Sequence, residues 1–233
     1  MKDKVIEAYA KLAKDYEKHV DTQSAYNAYY ERPAMISLLP QDMNRLSVLD
    51  AGCAAGWYTE QFIRMGAQVT AIDLSPQMVE ASKRRVGDKA TVFACDLTEP
   101  LPFDDESFDL IVSSLTLHYI EDWAPVFCEF HRVMKPEGSL IFSVHHPFMD
   151  FKSFDRSDYF ARELLSEVWN KKEAGPVEVT FYRRPLQEIL NRTSERFIID
   201  RIVEPQPSPE FKDEPWYERI NKNPHFLIVK ARK

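Results

Sequence analysis

From Leu46 onward, short apolar runs alternate with segments of helical length, and this alternation restricts the fold more than any other feature of the chain. Ser47–Asp50, Gln68–Asp73, Thr91–Asp96, Phe108–Ser113 and Gly138–Val144 read as strands. Between them, Trp57–Met65 reads as a helix closed by Gly66, and Ser75-Pro76 opens a helix running to about Val86. A further helix spans about Trp123 to Met134. A strand that follows a helix returns parallel to the strand before it. The pattern therefore predicts βαβ units and a doubly wound, largely parallel α/β sheet. A length of 233 residues accommodates one such domain with an embellishment.

The flanks depart from this rhythm. In residues 1–44, Val5, Tyr9, Leu12 and Tyr16 recur at three- and four-residue spacing, the mark of one helical face, and a second helical stretch from Ala25 to Leu39 is interrupted at Pro33. After Val144 no strand pattern appears until Val177–Tyr182. Pro185–Asn191 reads as a short helix, Phe197–Val203 as a sixth strand and His225–Lys230 as the last. Residues 204–224 hold five prolines and read as irregular loop. The expected organisation is a helical N-terminal cap over 1–44 and a main domain over 45–233, with lid-like insertions at about 145–182 and 204–224.

Charge and cysteine usage narrow the function classes. Lys and Arg number 30 against 37 Asp and Glu, a net charge of −7, which argues against the basic face of a nucleic-acid-binding domain. Cys53, Cys95 and Cys128 are widely spaced and form no CxxC pair, so zinc and thioredoxin-type chemistry lack support. The first residues stay charged through Lys18 with no apolar signal region, and no run approaches the roughly 20 apolar residues of a bilayer span. The expectation is a cytoplasmic protein with no membrane partner.

In an open α/β sheet, ligands bind beyond the carboxyl ends of the strands. The first strand runs into Asp50-Ala51-Gly52-Cys53-Ala54-Ala55-Gly56, and two of the chain's six glycines stand in this turn. Small residues there let backbone approach a ligand closely. The helix behind offers free N–H groups to an acceptor. A dinucleotide fingerprint would require glycines at positions 54 and 57, which hold Ala54 and Trp57. Trp57 has no room where helix and strand must pack closely, so a nicotinamide oxidoreductase is disfavoured.

The same string resembles motif I, D/E-x-G-x-G-x-G, of class I S-adenosylmethionine-dependent methyltransferases. Asp50, Gly52 and Gly56 match it, with Ala54 in place of the middle glycine. Further likenesses follow in order: Asp73 closing the second strand, Asp96-Leu97 after the third, Ser107-Phe108-Asp109 with Leu117-His118-Tyr119 around the fourth, and His131–Gly138 before the fifth. The resemblance covers about residues 45–147 and is of the type 11 methyltransferase-domain kind, found on small-molecule enzymes. It implies a Rossmann-like seven-stranded sheet, mostly parallel with an antiparallel last strand, binding S-adenosyl-L-methionine and, as product, S-adenosyl-L-homocysteine. It implies that Asp73 takes the ribose hydroxyls and that Asp96 and Leu97 take the adenine. Further cofactor contacts are expected from Tyr16, Asp50, Gly52, Cys53, Leu74, Met78, Ser113, His118 and Tyr119.

Catalytic groups are less constrained, because methyl transfer from a sulfonium needs chiefly a held geometry and a dry site. A base is required only when the acceptor must lose a proton. His145 and His146 follow the fifth strand and are the candidate bases, though they could equally bond loop backbone. His19, His131 and His225 are read as structural, and no histidine spacing suits a metal. The aromatic segments after strands five and six, together with Tyr9, Tyr16, Tyr26, Tyr29 and Tyr30 near the N-terminus, could roof a pocket for a small, apolar or aromatic acceptor with an O or N nucleophile. Arg183 and Arg184 either reach an acceptor carboxylate or lie on a solvated strand edge. No Asn/Asp-Pro-Pro-Tyr/Phe tetrapeptide follows strand four, so a nucleic-acid acceptor is disfavoured. A non-catalytic module that binds the same cofactor is the rival reading.

Overall fold

The computed structural model covers residues 1–233. Its strands are β1 (Ser47–Ala51), β2 (Gln68–Asp73), β3 (Thr91–Ala94), β4 (Phe108–Ser114), β5 (Met134–His145), β6 (Glu163–Lys171), β7 (Gly175–Arg183), β8 (Ile198–Val203) and β9 (Phe226–Arg232). Its helices are α1 (Lys2–Asp15), α2 (Asp21–Gln23), α3 (Arg32–Ile36), α4 (Trp57–Arg64), α5 (Pro76–Val86), α6 (Ala124–Val133), α7 (Pro147–Ser153), α8 (Leu186–Ser194) and α9 (Tyr217–Asn221). Seven strands form one sheet in the order β3-β2-β1-β4-β5-β9-β8, and β9 runs antiparallel to both its neighbours. No helix is long and apolar enough to cross a membrane.

The strand runs are continuously apolar because both faces of the sheet are covered. Leu49, Ile111, Leu140 and Phe142 project to one face, where Phe127 and Phe130 of α6 pack. Val48, Leu110, Val112 and Ile141 project to the other, against Met35 of α3 and Tyr58 and Phe62 of α4. The chain steps outward from β1 through β2 to β3, then crosses back to β4 and β5. The carboxyl ends of β1 and β4 thus stand side by side at the point where strand order reverses, opening a crevice there.

The flanks hold the departures from the sequence pattern. β7 covers the expected strand at Val177–Tyr182, but its partner β6 was not expected. The reason lies in its side chains. Leu165 and Trp169 face inward together with Glu167, while Leu164 and Val168 face solvent, which erases the period-two signal. Pro33 sits in the first turn of α3, where its missing N–H leaves no hydrogen bond unmade. The proline-rich stretch 204–224 contains α9, whose Ile220 packs with Tyr30 and Phe226.

The N-terminal helix and the β6–β7 hairpin are built as one unit. Ala8, Leu12 and Ala13 of α1 share an apolar cluster with Leu165, Val177, Val179 and Phe181 of the hairpin and Met78 and Ala81 of α5. At the end of α1, buried Asp15 accepts hydrogen bonds from the backbone N–H groups of Lys172, Glu173 and Ala174, at 3.0, 3.1 and 3.0 Å. One carboxylate therefore satisfies the whole hairpin turn. Neither Arg183 nor Arg184 lies on a solvated edge, since both are buried. Arg183 donates to the carbonyls of Asp158, Tyr159 and Ala161 and pairs with Glu163 at 2.6 Å, tying the loop before β6 to the end of β7. Asp15→Ala is expected to cost about 2–3 kcal/mol in urea unfolding, the worth of the charged hydrogen bonds lost, with faster amide exchange at Lys172–Ala174. An unchanged unfolding midpoint would show that the hairpin turn does not depend on Asp15.

Candidate active site

The turn after β1 is shaped by contacts that exclude side chains. Gly52 has φ +90°, and a Cβ there would collide with the Thr116 side chain beyond β4. Gly56 has φ +80°, and its Cβ would strike Ser82 of α5. These are the two glycines of the motif, and each lets backbone meet a neighbouring element. Ala54, at the position of the missing middle glycine, also adopts a positive φ of 45°. Its strained turn is held by its own N–H, which donates to Asp73 Oδ2 at 2.9 Å. The Asp73 carboxylate accepts a second bond from the Ser75 N–H at 2.8 Å, and burial pushes its pKa up to about 6.

A cavity of about 360 Å³ opens at this crevice. Of the residues the sequence singled out, Tyr16, Gly52, Cys53, Asp73, Leu74, Asp96, Leu97 and Tyr119 line it. Asp96, past the end of β3, accepts from the Thr98 N–H and hydroxyl and pairs with Lys2 at 2.5 Å. Burial acts to raise its pKa, but the Lys2 and Thr98 contacts outweigh that and leave it below the usual carboxylate range.

Four expected contact residues lie behind the wall instead. Asp50 sits under the turn, where Oδ2 accepts the Thr59 hydroxyl at 2.6 Å, Oδ1 has no partner, and burial raises its pKa to about 7. Met78 is fully buried against α1, and the Ser113 hydroxyl donates to the Ala51 carbonyl at 2.8 Å. His118 is buried, its ring stacked on His145 at 4.1 Å.

The two candidate bases are also displaced from the cavity. His146 Nδ1 accepts the Phe148 N–H at 3.2 Å and so caps α7, while Nε2 meets Glu204 at 2.8 Å, so both ring nitrogens are engaged. The His145 ring lies between His118 and Phe181, and burial lowers its pKa to about 4. Neither histidine lines the large cavity, for a geometric reason. β5 continues to His145 paired with Phe226 of β9, and Phe181 of the hairpin covers its end. The insertions likewise do less roofing than expected: Phe211 and Trp216 pack on Tyr29, and of the post-β5 aromatics only Tyr182 reaches the cavity.

What sequence reading missed comes mainly from the N-terminal segment. Asp21, Asn27 and Arg32 line the cavity, as does Arg85 of α5, beside Val5 and Tyr9 of the expected cap. The Tyr9 hydroxyl donates to the Tyr119 hydroxyl at 2.7 Å, with the Tyr16 ring 5.9 Å from that of Tyr9. Asp21 bridges Arg32 at 2.9 Å and Arg85 at 2.6 Å, the Arg32 guanidinium stacks over Trp57, and Arg85 Nη1 has no partner. Buried Glu31 anchors the segment by accepting hydroxyls from Tyr58, Ser114 and Ser143 at 2.8, 2.8 and 2.5 Å. The only sequence signal for these residues was the apolar stripe containing Tyr9 and Tyr16.

A methyltransferase-domain family matches residues 49–142. A crystal structure of an S-adenosylmethionine-dependent methyltransferase from Mesorhizobium loti superposes with a TM-score of 0.70 at 27% identity, covering 87% of this chain and 97% of that one. A Burkholderia thailandensis 1,6-didemethyltoxoflavin-N1-methyltransferase, solved with S-adenosylhomocysteine, shares the fold (TM-score 0.64, 19% identity, 99% of this chain and 88% of that one). The chain is also 33% identical over 143 residues to the malonyl-[acyl-carrier protein] O-methyltransferase of Erwinia billingiae, covering 61% of this chain and 53% of that protein. It thus spans about half the length of that relative. The family match and the fold of these solved structures mark the chain as an enzyme that transfers methyl groups. The chain belongs to the class I S-adenosylmethionine-dependent methyltransferases, and S-adenosylmethionine is its cofactor.

His146→Gln is expected to lower stability by about 1 kcal/mol, the worth of a helix cap, in urea unfolding. Its turnover should stay within roughly two-fold of the parent, against the 10²–10⁴-fold loss that removal of a general base brings. A loss of that size would restore His146 as the base.

Proposed function

We propose that the enzyme methylates an oxygen of a small, partly apolar acceptor, and that this oxygen is already anionic when it binds, as in a carboxylate. The observation that carries the reading is the composition of the cavity wall. It holds Tyr9, Tyr16 and Tyr119 but no histidine. Burial drives the pKa of all three tyrosines up, well above the ordinary value for Tyr9. Their hydroxyls therefore stay protonated and serve as donors, not bases. A cluster of O–H donors without an imidazole beside it suits an oxygen that carries charge and needs orienting, and methylation of a carboxylate releases no proton. The partial likeness to an O-methyltransferase supports the choice of oxygen.

The chain's residues fit the cofactor. Asp73 would accept the two ribose hydroxyls, because a carboxylate is the natural partner of adjacent O–H donors. Asp96 and Leu97 would hold the adenine, and the Gly52–Ala54 backbone leaves room for close approach. The unpaired Nη1 of Arg85, beside Arg32, suits the carboxylate of the methionine end. When bound, the sulfonium supplies an activated methyl group for in-line displacement. The protein's part is to align acceptor and cofactor and to exclude water, with α1 and the hairpin closing over the crevice.

Asp73→Ala is expected to raise the dissociation constant of S-adenosylhomocysteine about 10–100-fold in calorimetry, the worth of a charged hydrogen bond. The ionised carboxylate is the better acceptor. Affinity in the parent should therefore rise as pH climbs through about 6 and level off above it. Affinity unchanged in the variant removes the ribose assignment. Incubation with methyl-labelled cofactor and a panel of carboxylic acids, phenols and amines tests the acceptor class. Label released as methanol by mild alkali marks a methyl ester and supports the reading, whereas label confined to amine products overturns it.

A further inference from the structure

A second, separate cavity of about 10 Å³ lies beneath the hairpin. It has room for one oxygen-sized atom. His118, His145, Asp150, Arg184 and Tyr182 contribute its polar wall, and Tyr182 is the one residue it shares with the large cavity. Two of these side chains are almost wholly buried with polar atoms left unpaired. Arg184 is 3% exposed, and its Nη1 and Nε have no hydrogen-bond partner; His118 is 2% exposed, and neither ring nitrogen has one. Buried donors without partners are rare, because each forfeits its hydration with nothing in exchange.

We infer that this small cavity is an anion subsite, taking one oxygen of a carboxylate carried by the acceptor at an end other than the one methylated. The acceptor clause rests on the function proposed above; the subsite itself does not. Arg184 is built as a fixed cation. Its guanidinium stacks on Trp123 at 4.2 Å, and its Nη2 donates to the Ile120 and Glu121 carbonyls at 2.7 and 3.1 Å, leaving Nη1 free.

The surrounding groups do not cancel that charge. Burial lowers Arg184 to about 10 and so leaves it protonated at neutral pH. Glu188 stands 3.4 Å from Arg184 Nε but is shared with Arg162, which bonds it at 2.9 Å. Burial raises Asp150 to about 8, so the carboxyl that would repel an anion is mostly neutral at pH 7. Burial keeps both histidines neutral, His145 at about 4 and His118 well below its ordinary value, so each has one N–H to donate. The site is one cation ringed by neutral donors, which suits a single negative oxygen. Tyr182, only partly buried and held through its hydroxyl to Glu121 at 3.0 Å, forms the partition to the large cavity.

Formate is the smallest carboxylate probe and formamide its neutral counterpart. Each is titrated into the enzyme saturated with S-adenosylhomocysteine while the histidine ring resonances are followed by ¹H–¹⁵N NMR. The expected result is a saturable shift of the His118 and His145 signals with formate and none with formamide. Arg184→Met should raise the formate dissociation constant by about ten-fold or more, with Arg184→Lys recovering part of it. His118→Gln, which keeps a donor but changes its position, provides a second weakened variant should Arg184→Met not fold. Absence of a saturable formate shift, or an equal shift with formamide, overturns the subsite. In methyl-transfer assays formate should compete with the acceptor. Formate that binds without raising the acceptor KM overturns the acceptor as the source of the anion. An error over which acceptor atom is methylated would leave the formate titration unaltered.

Discussion

The close approach of the turn after β1 to the end of β4 is the contact on which the rest of the molecule is arranged. Gly52 meets Thr116 with no space for a Cβ, and the Gly52 and Cys53 N–H groups both donate to the Ile72 carbonyl at the end of β2. Three strand ends are thereby locked to one backbone loop. Asp73 reinforces the lock from the β2 side by accepting the Ala54 N–H and thus bracing a left-handed alanine. The two core faces hold the strands rigid behind this point, so the crevice is a fixed edge on a packed sheet.

The remainder of the site is brought to that edge by the chain's flanks. Glu31 fastens the N-terminal segment to Ser114 and Ser143 at the ends of β4 and β5. Asp21 joins Arg32 to Arg85 of α5, and Asp15 receives the hairpin turn. Each joint is a carboxylate set against several donors, an arrangement that is directional and loses strength when a single donor moves. An enclosure closed by such joints, rather than by a continuous apolar interface, suits a site that must admit and release ligands. Apolar contact is divided among separate clusters: one shared by α1, α5 and the hairpin, one where Met35 packs on the sheet, and one joining Tyr30, Ile220 and Phe226.

The histidines show how burial redistributes chemistry around the sheet. His118 and His145 stack against each other, where burial holds them neutral, and His146 is spent on a helix cap. The large cavity has no histidine in its wall; Asp73, Asp96, the tyrosine hydroxyls and the Asp21, Arg32 and Arg85 group are among its polar lining.

Much of this was readable in the chain itself. Strands β1 to β5, the helices between them, and Gly52, Asp73, Asp96 and Leu97 at the crevice depend on local spacing, because a βαβ unit places every strand end on the same side of the sheet. The β6 strand was hidden because its apolar residues fall on both faces. Arg32, Arg85 and Asp21 were hidden because their places in the cavity come from packing between segments distant in sequence. His145 and His146 stand beside the expected ligand edge in sequence, yet whether a side chain after β5 faces a ligand depends on what covers that strand end. The hairpin covers it, and nothing local to residues 145 and 146 encodes that. The sequence by itself determined the sheet, the cofactor and the acids at the strand ends; only the tertiary structure decided which aromatic and charged side chains line the cavity, since enclosure depends on long-range packing and not on spacing along the chain.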